Sequence, residues 1–215
     1  DDVSNRLRTL GLDYYYHLRL CYYLYRQDSL MGINAHTGNT VDYPWKTQDT
    51  DISYGDISGH WSESYVNRLS QFGIGYRTEN LSPDTPVTQW DMVCLLFSMQ
   101  TSALDPDSAD ASEKDSAYFY AYSMGVLSPS ERDDSSVLTR STAVRYLLNY
   151  SGFKTAASLK GIYACSYPDK SLIAEDDIGY AALAQGLGII SGEYAPERQA
   201  TRAEVFTMLC RLMDR

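Results

Sequence analysis

The order of apolar and polar positions repeats three times along the chain. Each repeat has an amphipathic stretch that ends in glycine and a β-branched residue, then a polar loop, then a threonine that opens a second apolar stretch. The glycine and the threonine are 15, 14 and 13 residues apart in the three repeats. The pairs are Gly73 and Thr88, Gly125 and Thr139, and Gly188 and Thr201. Because glycine suits the left-handed residue that ends a helix, the pattern predicts a helix, a loop and a helix in every repeat.

The second stretch of each repeat carries apolar residues at equivalent positions, and steps of three place them on one helical face. They are Val93, Val144 and Phe206, then Leu96, Leu147 and Leu209, then Met99, Tyr150 and Leu212. One hairpin of this size cannot bury its own apolar face, so the three must close a common core. We therefore predict a mainly α fold in which three hairpins pack with pseudo-threefold symmetry. A linear solenoid is less favoured because the helices are short.

The N-terminal part of the chain has a different pattern, which favours strands. Residues 18–25 alternate leucine and tyrosine with other side chains, as a half-buried strand does, and shorter strands are predicted at 29–33 and 40–43. Three strands are too few for an independent domain, so residues 1–50 are predicted to be the antiparallel β tail of an upstream domain plus a linker. The stretch from Ile33 to Val41 resembles the closing hairpin of PepSY-like domains, which occur in secreted bacterial proteins.

The starts of the second helices carry the candidate chemistry. Thr201 and Glu204 have the spacing of a capping box, in which each side chain bonds the backbone amide of the other residue. A cation such as Arg202 is mildly unfavourable at the first helical position, so its presence there is a candidate for function. Free amides and a guanidinium together would bind a carboxylate or phosphate. The alternative is that Arg202 pairs with a neighbouring acid.

The other two copies keep only part of this motif. The first has Thr88 followed by Gln89 and Asp91, which preserves the cap and its acid but not the arginine. The second has Thr139 followed by Arg140, which preserves the arginine but has no acid two residues further on. Because an anion site needs a cation, at most two such sites are expected.

These motifs resemble the S-layer homology (SLH) family. Asp56 to Trp61 matches the family's opening of the first helix, and Thr201 to Glu204 matches its second-helix motif. The resemblance spans residues 53–215, with copies at 51–102, 103–154 and 155–215, the middle one degenerate. It implies a pseudo-threefold module that holds bacterial surface proteins on secondary cell-wall polysaccharide, often through pyruvylated sugars. The ligand-binding residues that it implies are Arg202, Arg140, Gln89, Asp56 and Trp61.

Trp61 has two interpretations at this stage. Stacking on a sugar ring is the role that the family resemblance implies. Its position on an apolar stripe with Leu69 and Phe72 favours packing against the helix pair, and the stripe makes packing the preferred interpretation.

Composition excludes several classes of function. With 18 basic and 28 acidic residues, the formal charge of -10 disfavours nucleic acid. The four cysteines are far apart, no metal-ligand spacing occurs, and no catalytic signature is present, so we expect neither a metal, a cofactor nor an enzyme. No apolar run is long enough for a membrane span.

The sequence therefore predicts a non-catalytic anchoring module, monomeric with an internal pseudo-trimer, at the cell wall or S-layer outside a bacterium. The alternative is a degenerate SLH module that serves as a protein-interaction or spacer domain. A wall-acting hydrolase is a third possibility, but no pair of catalytic acids and no nucleophile with its base can be located by motif.

Overall fold

The computed structural model describes residues 21–26, 29–34, 40–41, 52–99 and 101–214, and it describes side chains in the last two of these ranges. The chain divides into two compact units, residues 1–49 and 50–215. Each unit is considered by itself.

The N-terminal unit contains a three-stranded antiparallel sheet in the order β1-β2-β3. The strands are β1 (Cys21–Arg26), β2 (Ser29–Asn34) and β3 (Thr40–Val41). Cys21 lies opposite Asn34, and Gly32 lies opposite Val41. The predicted turn at 35–39, the predicted strand residues 18–20 and 42–43, and the side-chain alternation lie outside the described residues.

The second unit is helical in its described part, which confirms the prediction of a mainly α fold. Its seven α-helices are α1 (Glu63–Ser70), α2 (Gln89–Ser98), α3 (Ala111–Ser123), α4 (Arg140–Tyr150), α5 (Lys154–Ala157), α6 (Ile178–Gly186) and α7 (Arg202–Met213). Short 3-10 turns occur at Pro129–Glu131, Lys170–Leu172 and Glu175–Asp177. Among the described residues, no helix is long and apolar enough to cross a bilayer.

Helices α1, α3 and α6 end in the same backbone arrangement. Gly73, Gly125 and Gly188 have φ values of 67°, 70° and 65°, as predicted for left-handed helix-ending residues. The amide after each glycine donates to the carbonyl five residues earlier: Ile74 to Leu69, Val126 to Ala121, and Ile189 to Ala184. Each first helix therefore turns into its loop at the position that the sequence indicates.

Buried apolar side chains between Tyr54 and Cys210 form one hydrophobic core. The equivalent positions Val93, Val144 and Phe206 are fully buried in it. Each first helix packs mainly against the second helix of a neighbouring copy: α1 contacts α7, α3 contacts α2, and α6 contacts α4. The hairpins therefore bury their apolar faces against one another rather than against themselves.

Candidate functional site

The loops that lead into α2, α4 and α7 meet through a closed ring of backbone hydrogen bonds. The amide of Val87 donates to the carbonyl of Ala200 at 2.8 Å, Ala200 donates to Leu138 at 3.0 Å, and Leu138 donates back to Val87 at 2.9 Å. The residues occupy the same place in the three copies, one before the threonine that caps each helix. This ring brings the three helix starts together.

The first amides of the three helices also donate to a neighbouring copy. The first-position amides of α2, α4 and α7 donate to Ser136, Arg198 and Thr85 at 2.7, 2.8 and 3.0 Å. The second-position amides follow the same cycle, to Asp134, Pro196 and Pro83 at 3.4, 3.1 and 2.8 Å. An anion at these helix starts would therefore have to displace a carbonyl oxygen of the protein.

The third amide of each helix donates to its capping threonine. Thr88 accepts from Asp91, Thr139 from Thr142, and Thr201 from Glu204. The amides of Thr88 and Thr201 donate to the carboxylates of Asp91 and Glu204 at 2.9 and 3.1 Å, which completes two capping boxes. The caps and the bonds between copies use the first three N–H groups of all three helices.

Arg202 pairs with an acid of another copy, which is the alternative that sequence reasoning had left open. Its Nη2 donates to Oδ1 of Asp91 at 2.9 Å, and its Nη1 donates to the carbonyl of Leu81 at 3.1 Å. The two charged side chains are only 11% and 5% exposed. Burial disfavours the cation, but the surrounding groups, chiefly Asp91, favour it and together raise the pKa of Arg202.

Arg140 has the corresponding contact one copy earlier. Its Nη1 donates to Oε1 of Glu204 at 2.7 Å, and its Nε donates to the carbonyl of Tyr194 at 2.9 Å. Burial lowers the pKa of Arg140, and Glu204 opposes that shift. Glu204 also pairs with the exposed Arg198. Each arginine thus binds the capping-box acid of the next copy.

Gln89 occupies the corresponding place in the first copy, where the arginine is missing. Its amide nitrogen donates to the carbonyl of Glu131 at 2.9 Å, and its carbonyl oxygen accepts from the amide of Asp133 at 2.7 Å. The next copy has Thr142 where the other two copies have an acid. The arginine and the acid that would pair with it are therefore both replaced, by Gln89 and Thr142. Because both replacements are neutral, no unpaired charge is buried there.

Asp56 holds a strained loop residue in place. Its two carboxylate oxygens accept from the amides of Leu81 and Ser82 at 2.8 and 2.7 Å, and Ser82 has φ of 54°. Asp169 does the same in the third copy, for Tyr194 and Ala195 at 3.0 and 2.7 Å.

Sequence reasoning missed Asp169, although a signal for it exists. Asp56 lies 27 residues before Pro83, and Asp169 lies 27 residues before Pro196. Burial acts to raise the pKa of Asp169, but the amide contacts together with the charge of Arg140 lower it.

Trp61 is 56% exposed, so the interpretation of this side chain as mainly packed is wrong. Leu69 lies on the predicted apolar stripe and is buried. Because α1 begins at Glu63, Trp61 precedes the helix and does not follow its periodicity. Its indole contacts the His60 ring, with centroids 5.4 Å apart. His60 in turn lies 2.8 Å from the hydroxyl of Ser62 and is a hydrogen-bonding loop residue.

The five predicted ligand-binding residues therefore fall into two groups. Arg202, Arg140, Gln89 and Asp56 make internal hydrogen bonds, whereas Trp61 presents an aromatic surface to solvent. Within residues 52–99 and 101–214, no cluster of three or more His, Cys, Asp or Glu side chains could hold a metal ion.

Comparison with known families finds one match, which covers residues 53–92. Residues 53–92 match the S-layer homology domain, a stretch that includes Asp56, Trp61, Thr88 and Asp91. No curated protein matches the chain. The match confirms the resemblance for residues 53–92, and this segment of the chain is similar to the S-layer homology domain.

Proposed function

We propose that this protein is a non-catalytic anchoring module that binds a secondary cell-wall polysaccharide outside a bacterium. The observation that carries the proposal is the S-layer homology domain at residues 53–92, which indicates attachment of a surface protein to a cell-wall polymer. The negative net charge of the chain repels a polyanion at long range. It therefore favours a neutral polymer, or one whose charged groups are bound at a local site.

The proposal includes three SLH copies, at 51–102, 103–154 and 155–215, related by pseudo-threefold symmetry. Three cyclic sets of bonds support it: the loop ring, the first-position amides and the second-position amides. The equivalent glycine ends of α1, α3 and α6 are further support. Residues 1–50 are proposed to be the tail of a PepSY-like domain and a linker.

A second candidate function is a degenerate module that acts as an interaction or spacer domain. One specific observation favours it. Arg202 and Arg140 form ion pairs with largely buried acids, so they have fewer N–H groups available for a pyruvylated sugar than unpaired arginines would have. The exposed Trp61 favours polymer binding, since aromatic rings supply apolar contact to a sugar face.

Sedimentation with bacterial wall sacculi separates the two candidates. The anchoring function predicts that the protein sediments with intact sacculi and stays in the supernatant with sacculi stripped of their secondary polymer. Sacculi from which only the pyruvate has been removed show whether that group is recognised. Equal sedimentation with intact and stripped sacculi, or none with either, would contradict the anchoring function.

A further inference from the structure

A cavity of about 450 Å³ lies beside α4, α5 and α6. Its walls come from α4, α5, α6 and the segment between α5 and α6, and its volume is typical of a ligand site. None of the five ligand-binding residues predicted from the sequence lines it. We propose that this cavity binds a neutral sugar unit of the wall polymer, an inference that rests on the proposed anchoring function.

The charged side chains of the cavity balance one another. Arg145 and Lys160 are its cations, and Glu175 and Asp176 are its acids. Lys160 and Asp176 form an exposed ion pair with 2.7 Å between nitrogen and oxygen. A lining with donors and acceptors but no net charge suits hydroxyl groups, which both donate and accept, better than it suits an anion.

Arg145 supplies donors that the protein itself does not use. Its Nη2 donates to Oδ1 of Asp177 at 2.6 Å, which fixes the guanidinium over the ring of Tyr180 at 5.9 Å. Because the side chain is 41% exposed at the cavity wall, guanidinium N–H groups that Asp177 does not occupy can donate to a ligand there.

Apolar surface completes the lining. Leu159 is 52% exposed, and Tyr163 is held by a hydrogen bond of 3.0 Å from its hydroxyl to the carbonyl of Ala156. A sugar ring has an apolar face of C–H groups, and an N-acetyl group adds a methyl, so such a ligand can use both kinds of surface. A small inorganic anion would leave Leu159 and Tyr163 without a contact.

The two helices α5 and α6 are in direct backbone contact at the cavity. A Cβ atom at Gly179 would lie 1.9 Å from the carbonyl oxygen of Ala157, so α6 touches the backbone of α5 there. This close contact fixes the two lining helices relative to each other. A preorganised site loses less conformational entropy on binding than a mobile one.

Two variants test the site by independent means. Lys160→Ala with Asp176→Ala removes an exposed ion pair and leaves the net charge unchanged, and Ser158→Trp places a bulky ring in the cavity. The matched control is Lys170→Ala with Glu197→Ala, which removes one exposed charge of each sign outside the cavity. Melting temperatures show that each variant is folded.

The probes are wall polymer released by muramidase, measured by calorimetry, and N-acetylglucosamine and glucuronic acid, followed by NMR. Both cavity variants are expected to weaken polymer binding about tenfold, equivalent to about 1.4 kcal/mol, while the control binds like the parent. N-acetylglucosamine is expected to shift resonances of residues 157–163, and glucuronic acid to shift them less.

The possible failures are distinguishable. If the parent binds polymer and both folded cavity variants bind it equally well, the cavity assignment is wrong and the anchoring function stands. If polymer does not bind but N-acetylglucosamine shifts the cavity resonances, the anchoring function is wrong and the sugar site stands. If neither probe binds, both are wrong, and stronger shifts with glucuronic acid would overturn the preference for a neutral sugar.

Discussion

The guanidinium of Arg202 at the start of α7 lies 2.9 Å from the carboxylate of Asp91 in α2, across 111 residues of sequence. Asp91 also completes the capping box of its own helix through Thr88. One acid therefore stabilises the start of α2 and joins α2 to α7. Arg140 and Glu204 repeat this relationship between the second copy and the third.

The main expected effect of removing Arg202 is a loss of stability. A binding measurement on this variant would therefore be made on a destabilised protein. Arg202→Ala leaves Asp91 nearly buried without its cation, which should lower the free energy of unfolding by about 3 kcal/mol. Arg198→Ala is the control, because that side chain is half exposed, and it should cost less than about 1 kcal/mol. Urea denaturation measures both, and equal stability of the two variants would show that the buried pair contributes little.

The two residues of the capping box at the start of α7 are expected to contribute differently to stability. Thr201→Ala removes one cap and should cost about 1 kcal/mol. Glu204→Ala removes a cap and also leaves Arg140, only 9% exposed, without its acid, so the cost should rise to about 3 kcal/mol. Thermal and urea unfolding of both variants test this order. Equal losses would mean that Glu204 acts only as a cap.

Asp169 is expected to make the module sensitive to acid. Its pKa lies below the ordinary value of 3.8 because two backbone amides hold the charged form. The stabilisation is complete above the ordinary value and is lost as the pH falls through the lower pKa of the folded protein. Asp169→Asn should therefore flatten the fall in unfolding free energy below about pH 4, whereas the exposed Glu197→Gln should not. Identical acid profiles for Asp169→Asn and the parent would contradict this.

Gly179→Ala is expected to damage the contact between α5 and α6. The new Cβ would lie 1.9 Å from a backbone oxygen, which no side-chain rotation relieves, so the loss should be about 3 kcal/mol. Gly186→Ala in the same helix is the control, because nothing lies within 4 Å of its Cβ position. That control should be neutral or slightly stabilising because alanine favours helix. Calorimetric melting distinguishes the two, and a stable Gly179→Ala protein would show that α5 moves freely.

Trp61→Ala is expected to leave the fold intact. The indole is mostly exposed, so the change in unfolding free energy should stay within about 0.5 kcal/mol. Leu69→Ala in α1 is the comparison, because that side chain is buried and its loss should cost about 3 kcal/mol. If Trp61→Ala keeps its stability but sediments less with wall sacculi, the indole contacts the polymer. Unchanged sedimentation would remove Trp61 from the binding site.

Local signals in the sequence were sufficient for the features that depend on neighbouring residues. The capping box of Thr201 and Glu204 closes within one helical turn, so its residue types and spacing predict it. The left-handed conformation of Gly73 follows from the end of the preceding helix and the lack of a Cβ atom. The apolar spacing that places Leu209 in the core follows from helical periodicity.

Only the tertiary structure decided the roles of the charged residues. Whether Arg202 faces a ligand or Asp91 depends on how residues 111 positions apart meet, which no local pattern contains. The cavity beside Arg145 depends on α5, a four-residue helix with too few positions to show periodicity. Local hydrogen bonding and helical periodicity act over a few residues, whereas ion pairs and cavities arise from long-range packing, so the sequence determined the elements and the packing determined the site.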